Sequence, residues 1–123
     1  MKSNADNNNR LVISDAPCLD TLKATVRLLS GKWKLLIITF LLEKGRTRFM
    51  DIQRGVRGIS CKVLSKELQQ MEQDCIVVRM ESDPKLTIVE YELTEHGCTL
   101  KLLLLHITRW GEQHNKIITT TNP

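Results

Sequence analysis

Apolar residues recur at helical spacing along much of the chain and divide it into predicted elements. Over residues 16–29 they fall at intervals of three and four, which predicts an amphipathic helix with Asp15 as its N-cap and Pro17 in its first turn. Residues 32–43 are apolar nearly all round, as expected of a central buried helix. Gly45 is predicted to end this helix in a left-handed conformation.

The next segment is apolar on one side only. A short helix over residues 49–56 and a turn at 57–59 lead to Ser60, a predicted N-cap for a helix that extends to about Asp74. The inner face of this helix is predicted to contain Val63 or Leu64, then Leu68 and Met71. Its outer face is one polar stripe of Lys62, Ser65, Lys66, Gln69 and Gln73.

Alternating β-branched residues then replace the helical pattern. Residues 76–82 and 87–93 predict a β-hairpin that turns at 83–85, and residues 46–48 predict an edge strand. Thr94 is the expected cap of a long final helix over about 95–118.

The order of these elements is that of a winged helix-turn-helix, an α+β fold that is mostly helical, with an extra N-terminal helix and a long C-terminal helix. In this fold the helix after the turn enters the major groove of DNA, while the hairpin is the wing. We predict a single domain over residues 15–118, a disordered Asn-rich arm over 1–14 and a disordered tail over 119–123.

Positive charge is concentrated in the middle third of the 123-residue chain. The whole chain carries a net charge of +4, but residues 31–69 contain nine basic and three acidic residues. This concentration favours a polyanionic partner such as double-stranded DNA. The longest apolar run, residues 35–42, is too short to span a membrane, and the polar start lacks the apolar core of a signal peptide. We therefore expect a cytoplasmic protein.

Catalytic and metal-binding patterns are absent from the sequence. It has no paired carboxylates, Ser/His/Asp arrangement or Gly-rich phosphate loop, so an enzyme is not indicated and no cofactor is implied. The three histidines and four cysteines do not follow metal-ligand spacing, and free thiols are expected in a reducing cytosol. Cys98 is predicted to lie on the core face of the last helix.

Several motifs resemble those of the HxlR-type winged-helix transcriptional regulators of bacteria and archaea. In order they are GKW, RFxxI, GISxKxLxxxL, EYxLTxxG and a late Trp, and the similarity covers about residues 16–115. The resemblance implies a homodimer, formed by the terminal helices, that binds an inverted repeat and often represses a neighbouring gene.

The resemblance also implies which residues face DNA. The groove-reading segment corresponds to Ser60, Lys62, Ser65 and Lys66, with Gln69 at its margin. Cys61 is a further candidate contact because it lies in the first turn of the same helix. Arg46 and Arg48 fall where the family often has basic residues and are candidate phosphate contacts. Arg54 and Arg57 are candidates through their charge, with a purely solubilising role as the alternative, and Arg79 and Lys85 are the basic residues near the wing. The alternative for this helix is an ordinary solvated face.

Two departures from the family pattern are evident. Cys75 replaces the glycine that usually follows the recognition helix, so strain is expected there. Leu86 and Ile88 stand where the family's wing commonly has a proline and a basic residue, which leaves wing contacts with DNA open.

The leucine-rich last helix and the stripe of the first helix offer more apolar surface than a small monomer can cover, so a dimer interface is the expected use. Its predicted members are Leu19, Leu22, Leu100, Leu103, Leu104, Ile107 and Trp110.

Two cysteines are candidate redox-sensing residues. Some HxlR-type proteins sense oxidants or electrophiles through a cysteine that opens the first helix, and Cys18 lies near that position although its Pro17 precedes rather than follows it. Cys61 opens the recognition helix, where oxidation would place negative charge against phosphate. An inert thiol is the alternative for both, and the sequence specifies no small-molecule effector.

The sequence therefore predicts a dimeric DNA-binding transcriptional regulator, with repression as the expected effect. Its competitor is a winged-helix module for protein interaction that lacks specific DNA binding. An acidic or apolar recognition face would favour the competitor, whereas this chain has Lys62 and Lys66 there.

Overall fold

The computed structural model describes residues 16–83 and 85–121, and its elements follow the predicted order. The helices are α1 (Leu19–Leu29), α2 (Lys34–Lys44), α3 (Phe49–Gly55), α4 (Cys61–Gln73), α5 (Glu95–Cys98) and α6 (Leu100–Thr121). The strands are β1 (Thr47–Arg48), β2 (Val77–Asp83) and β3 (Ile88–Leu93). Contacts cluster in two units that divide after Ser30, so α1 is described by itself. The predicted arm over 1–14 and the Asp15 cap lie outside the described residues, and the single domain over 15–118 stays a prediction.

Helix α1 begins at Leu19, three residues later than predicted. Cys18 occupies the N-cap position with an extended backbone, so Pro17 precedes the helix instead of lying in its first turn. The φ angle of proline suits an extended segment as well as a helix, which is why the predicted start was three residues too early. None of the residues of α1 is buried, and Leu19 and Leu22 of its apolar stripe are exposed.

Three helices and the sheet supply the core of the second unit. Its fully buried side chains are Ile37, Ile38, Leu41, Ile52, Leu64, Leu68, Met71, Ile76 and Val77. Each such side chain contributes about 1.5–3 kcal/mol through removal from water. The predicted central position of α2 is therefore confirmed, although Leu36 on the same helix is half exposed.

The sheet is antiparallel with the strand order β1-β3-β2, so β1 is an edge strand as predicted. Tyr91 of β3 pairs with Thr47 on one side and Arg79 on the other. The predicted hairpin is confirmed, with β2 shifted by one residue, and its register is irregular between Glu81 and Asp83. This arrangement joins the hairpin to the chain segment that leads into α3.

Thr94 caps the helix after the hairpin, as predicted. Its Oγ1 accepts a hydrogen bond from the Gly97 N–H at 2.8 Å and donates one to the Cys75 carbonyl oxygen at 2.7 Å. A side chain at Gly97 would collide with the Ile76 carbonyl oxygen, so glycine allows α5 to approach the start of the hairpin.

The predicted single final helix is wrong in two respects. Thr99 separates α5 from α6, and α6 continues to Thr121, so residues 119–121 are helical and not part of a tail. The prediction for Cys98 is also wrong, because this residue is exposed at the end of the short α5. Helical spacing carried across Thr99 assigned it to the wrong face.

Cys75 has a positive φ of 63°, which confirms the expectation that a non-glycine residue takes the left-handed turn after α4. A side chain in this conformation costs on the order of 1 kcal/mol. We therefore expect Cys75→Gly to raise the midpoint of thermal unfolding. Cys75→Ala is the matched control, because it removes the thiol and keeps the strained Cβ. Equal stabilisation by both substitutions would show that the thiol, and not the backbone, was responsible.

Candidate nucleic-acid interface

Helices α3 and α4, with the residues between them, form a helix-turn-helix. Gly58 takes a φ of 91° in the turn, and Gln53 Nε2 donates a hydrogen bond to the Ile59 carbonyl oxygen at 2.9 Å. Ser60 Oγ then accepts a hydrogen bond from the Val63 N–H at 3.2 Å, which confirms the predicted N-cap. These contacts determine where α4 begins and therefore which side chains its first turn presents.

The two faces of α4 separate as the sequence predicts. Leu64, Leu68 and Met71 are fully buried, whereas Val63 is only partly so. The whole predicted outer face is exposed: Lys62, Ser65, Lys66, Gln69 and Gln73. Ser60 and Cys61 are exposed at the start of the helix, and its first turn contains no acidic residue. The result is a polar, positively charged surface over the first turns of α4, with the exposed carboxylate of Glu72 near the end of the helix.

Three arginines meet Ser65 of α4 in a cavity of about 580 Å³, which we call the arginine cleft. Arg48 and Arg54 come from the edge strand and α3, and Arg79 comes from the hairpin. Arg54 is paired with Asp51 at 2.8 Å and Arg79 lies 3.6 Å from Glu81, whereas Arg48 makes no ion pair with any residue that the structure describes. Arginine side chains at such a cleft suit the oxygen atoms of a phosphate backbone.

Other predicted contacts lie elsewhere. Arg46 Nε donates to Glu90 Oε1 at 2.8 Å, so a neighbouring carboxylate already compensates part of its charge. Arg57 does not line the arginine cleft but borders a different cavity beside α2, with Leu36 and Phe40. Lys85 is exposed in the hairpin turn, next to Pro84, which is outside the described residues.

Sequence reasoning missed the place of Arg54 in the cleft. Its charge made it a candidate phosphate contact, but the cleft combines residues from α3, α4 and both hairpin strands, which the sequence does not bring together. The only local signal is its position one turn after Asp51, which explains the ion pair and not the cleft.

The predicted dimer residues differ in their surroundings. Leu103, Ile107 and Trp110 are exposed on α6, and the Trp110 ring stacks on His114 with 5.0 Å between centroids. Leu104 is 9% exposed, so it belongs to the core of its own chain, and its assignment to the interface is corrected. Leu100 is partly buried. Helical spacing could not separate the side that packs against α2 from the side that stays exposed.

Cys18 is the exposed N-cap residue of α1. Its sulfur lacks the full geometry of a capping hydrogen bond, yet the Thr21 N–H, the Thr21 hydroxyl and the Asp20 N–H lie close enough to stabilise a thiolate and lower the pKa of Cys18. Cys61 is exposed as well. In the described part of the chain, no group of three or more His, Cys, Asp or Glu residues could hold a metal ion.

A helix-turn-helix followed by a hairpin, with a basic exposed second helix, defines a winged helix-turn-helix protein. Residues 28–118 match the HxlR-like helix-turn-helix family. The chain belongs to this family. Within residues 16–83 and 85–121, no helix combines the length and apolar character needed to cross a membrane.

Relatives and solved structures agree with this assignment. The uncharacterised HTH-type transcriptional regulator BH0655 of Halalkalibacterium halodurans is 38% identical over 87 residues, which are 71% of this chain and 77% of that protein. The redox regulator HypR in its reduced form matches with a TM-score of 0.73 at 30% identity, over 81% of this chain and 98% of HypR. Reduced YodB from Bacillus subtilis matches with a TM-score of 0.70 at 32% identity, over 80% of this chain and 94% of the YodB chain. YodB also has diamide-treated and quinone-bound forms.

Proposed function

We propose that this protein is a sequence-specific DNA-binding transcriptional regulator that acts as a repressor and binds an inverted repeat as a homodimer. The observation that carries the proposal is the outer face of α4, which we call the reading face. It consists of Lys, Ser and Gln side chains on a capped and firmly packed helix. Such a face fits the major groove, where lysine can reach guanine acceptors and carboxylates would be repelled by phosphates.

Basic residues around α4 support the same DNA-binding function. With α4 in the groove, Arg48 and Arg79 of the arginine cleft would contact phosphates beside it, because Ser65 of the reading face lines the same cleft. Lys85 in the hairpin turn and Arg57 would make more distant phosphate contacts. Arg46 would first have to exchange Glu90 for a phosphate.

A homodimer is supported by the exposed apolar side of α6. Trp110 is 69% exposed and Ile107 is 47% exposed, which is unusual for large apolar side chains that share one helix. A two-fold dimer buries the same patch of both copies and would place two α4 helices at half-sites about one helical turn of DNA apart.

The competing function is an interaction module without specific DNA binding. An acidic or apolar α4 would favour it, whereas the exposed α4 face contains Lys62 and Lys66.

The proposal is tested by fluorescence-anisotropy titration of the reduced protein against duplexes that tile the region upstream of its own gene, at two salt concentrations. We expect salt-dependent binding to one duplex, with two protomers per site. In Lys62→Ala, affinity should fall by about 1–3 kcal/mol if the side chain contacts a base, and Lys66→Ala should either do the same or mainly reduce the salt dependence.

Lys116→Ala, which removes an equal charge near the end of α6, is the control and should bind as the wild type does. Unchanged operator affinity in the Lys62→Ala/Lys66→Ala double variant would refute the assigned reading face. Absence of binding to any duplex at low salt would favour the interaction module.

The dimer is tested by introducing carboxylates into the exposed side of α6. We expect Ile107→Glu/Trp110→Glu to weaken self-association by at least about tenfold, since buried aromatic residues often dominate an interface. Asn115→Glu adds a carboxylate on another side of the same helix and should leave association unchanged. Sedimentation equilibrium measures both, and equal dimerisation of the wild type and the double variant would place the interface elsewhere.

A second candidate function is thiol-based sensing through Cys18. Its lowered pKa increases the thiolate fraction at neutral pH, and the thiolate is the form that attacks oxidants. Attack on hydrogen peroxide would form a sulfenic acid and release hydroxide. The similarity to HypR, a redox regulator, supports this role.

The sensing function predicts that iodoacetamide labels Cys18 faster than Cys98 at neutral pH, because the lowered pKa of Cys18 increases its thiolate fraction. Peptide mass spectrometry measures both rates. Peroxide should then reduce operator binding by the wild type and not by Cys18→Ser. Equal loss in Cys18→Ser and the wild type would exclude Cys18, and protection in Cys61→Ser instead would assign the switch to the recognition helix.

A further inference from the structure

Lys34 is the only buried residue with a charged side chain in the described chain. It is the first residue of α2, and its side chain is 8% exposed. Burial of an ammonium group is unfavourable unless a partner compensates it, and a lysine at a helix N-terminus also opposes the helix dipole. The stability of α2 alone therefore does not explain this residue.

Both partners of Lys34 lie on α4. Its Nζ donates a hydrogen bond to Gln70 Oε1 at 2.8 Å and forms an ion pair with Glu67 Oε1 at 2.9 Å. Glu67 is itself 16% exposed, and its Oε1 accepts no hydrogen bond of full geometry from the described residues, so this contact acts through charge. One ammonium group thus joins the central helix to two consecutive turns of the helix that carries the reading face.

The positions of Glu67 and Gln70 on α4 determine which motion of this helix the Lys34 contacts oppose. Glu67 and Gln70 are three residues apart, so they share one side of the helix, between the buried face and the exposed face. Burial of Leu64, Leu68 and Met71 is non-directional and tolerates small rotations of α4 about its axis. A hydrogen bond depends on distance and angle, so the bond from Lys34 to Gln70 resists such a rotation, and the ion pair with Glu67 holds the ammonium group in place through charge.

We propose that Lys34 is a positioning residue that sets the rotation of α4, and thereby the direction in which Lys62 and Lys66 face the bases. The inference rests on the proposed DNA-binding function. It assigns to the Lys34–Glu67 pair an effect on sequence discrimination that is separate from stability, because a buried ion pair often stabilises no better than apolar residues of similar size.

The test replaces the pair with apolar residues in Lys34→Met/Glu67→Met, which leaves the net charge unchanged. Affinities are measured for the preferred duplex from the tiling titration and for a scrambled duplex of the same composition. We expect the ratio of the two affinities to fall by about tenfold, equivalent to about 1.4 kcal/mol of discrimination. Binding to the scrambled duplex and its salt dependence should stay as in the wild type, because the exposed charges are intact.

Glu43→Met/Lys101→Met is the matched control. It makes the same two substitutions at exposed positions of α2 and α6, and the affinity ratio should not change. Thermal unfolding is measured for every variant. A double variant with the wild-type unfolding midpoint and a reduced ratio supports positioning, since a purely structural role would lower the midpoint and both affinities together.

If the methionine pair does not fold, Lys34→Gln/Glu67→Gln takes its place under the same criteria, because it keeps polar groups but shortens the Lys34 side chain. An unchanged ratio in the folded variant, with the wild type preferring one duplex, overturns this inference alone. A wild type that prefers no duplex overturns the proposed function and this inference with it.

Discussion

The packing of α4 is the constraint on which the rest of the structure depends. Leu64, Leu68 and Met71 are removed completely from water, which places the opposite side of the helix at the surface. The Ser60 cap and the turn at Gly58 determine where the helix starts. The strained Cys75 determines where the chain leaves it and enters the hairpin. A single buried stripe therefore decides which polar side chains a partner can meet.

The sequence predicts well those features that depend on near neighbours. Residue spacing and local hydrogen bonding predict the Ser60 and Thr94 caps, the hairpin, the edge strand and the two faces of α4. The sequence does not reveal which elements meet in space. Cys98 and Leu104 were both misplaced because helical spacing shows that residues share a face, but not what packs against it.

The basic residues show the same limit of sequence-based prediction. The count of nine basic and three acidic residues between Gly31 and Gln69 treats every charge as available to a partner. In the structure Lys34 is buried against Glu67, Arg46 is held by Glu90 and Arg54 is paired with Asp51. The charge that remains for a polyanion is smaller than the count implies, and it includes Arg48 and the two lysines on the exposed face of α4. Exposed pairs such as Arg54 and Asp51 contribute little to stability, so they can be exchanged for phosphates at small cost.

Lysine on the reading face makes the orientation of α4 important. An ammonium group is a point charge on a flexible stem, whereas arginine binds a guanine edge through two parallel hydrogen bonds. In the proposed complex, where α4 reads DNA with Lys62 and Lys66, the helix would gain less selectivity from the shape of these side chains and would obtain more from their placement. Apolar packing determines which side of α4 faces the core and tolerates only small rotations about its axis, while the hydrogen bond from Lys34 to Gln70 and the ion pair with Glu67 oppose those small rotations. In that complex the buried Lys34 would set the orientation of α4, which the flexible side chains of Lys62 and Lys66 do not set by themselves.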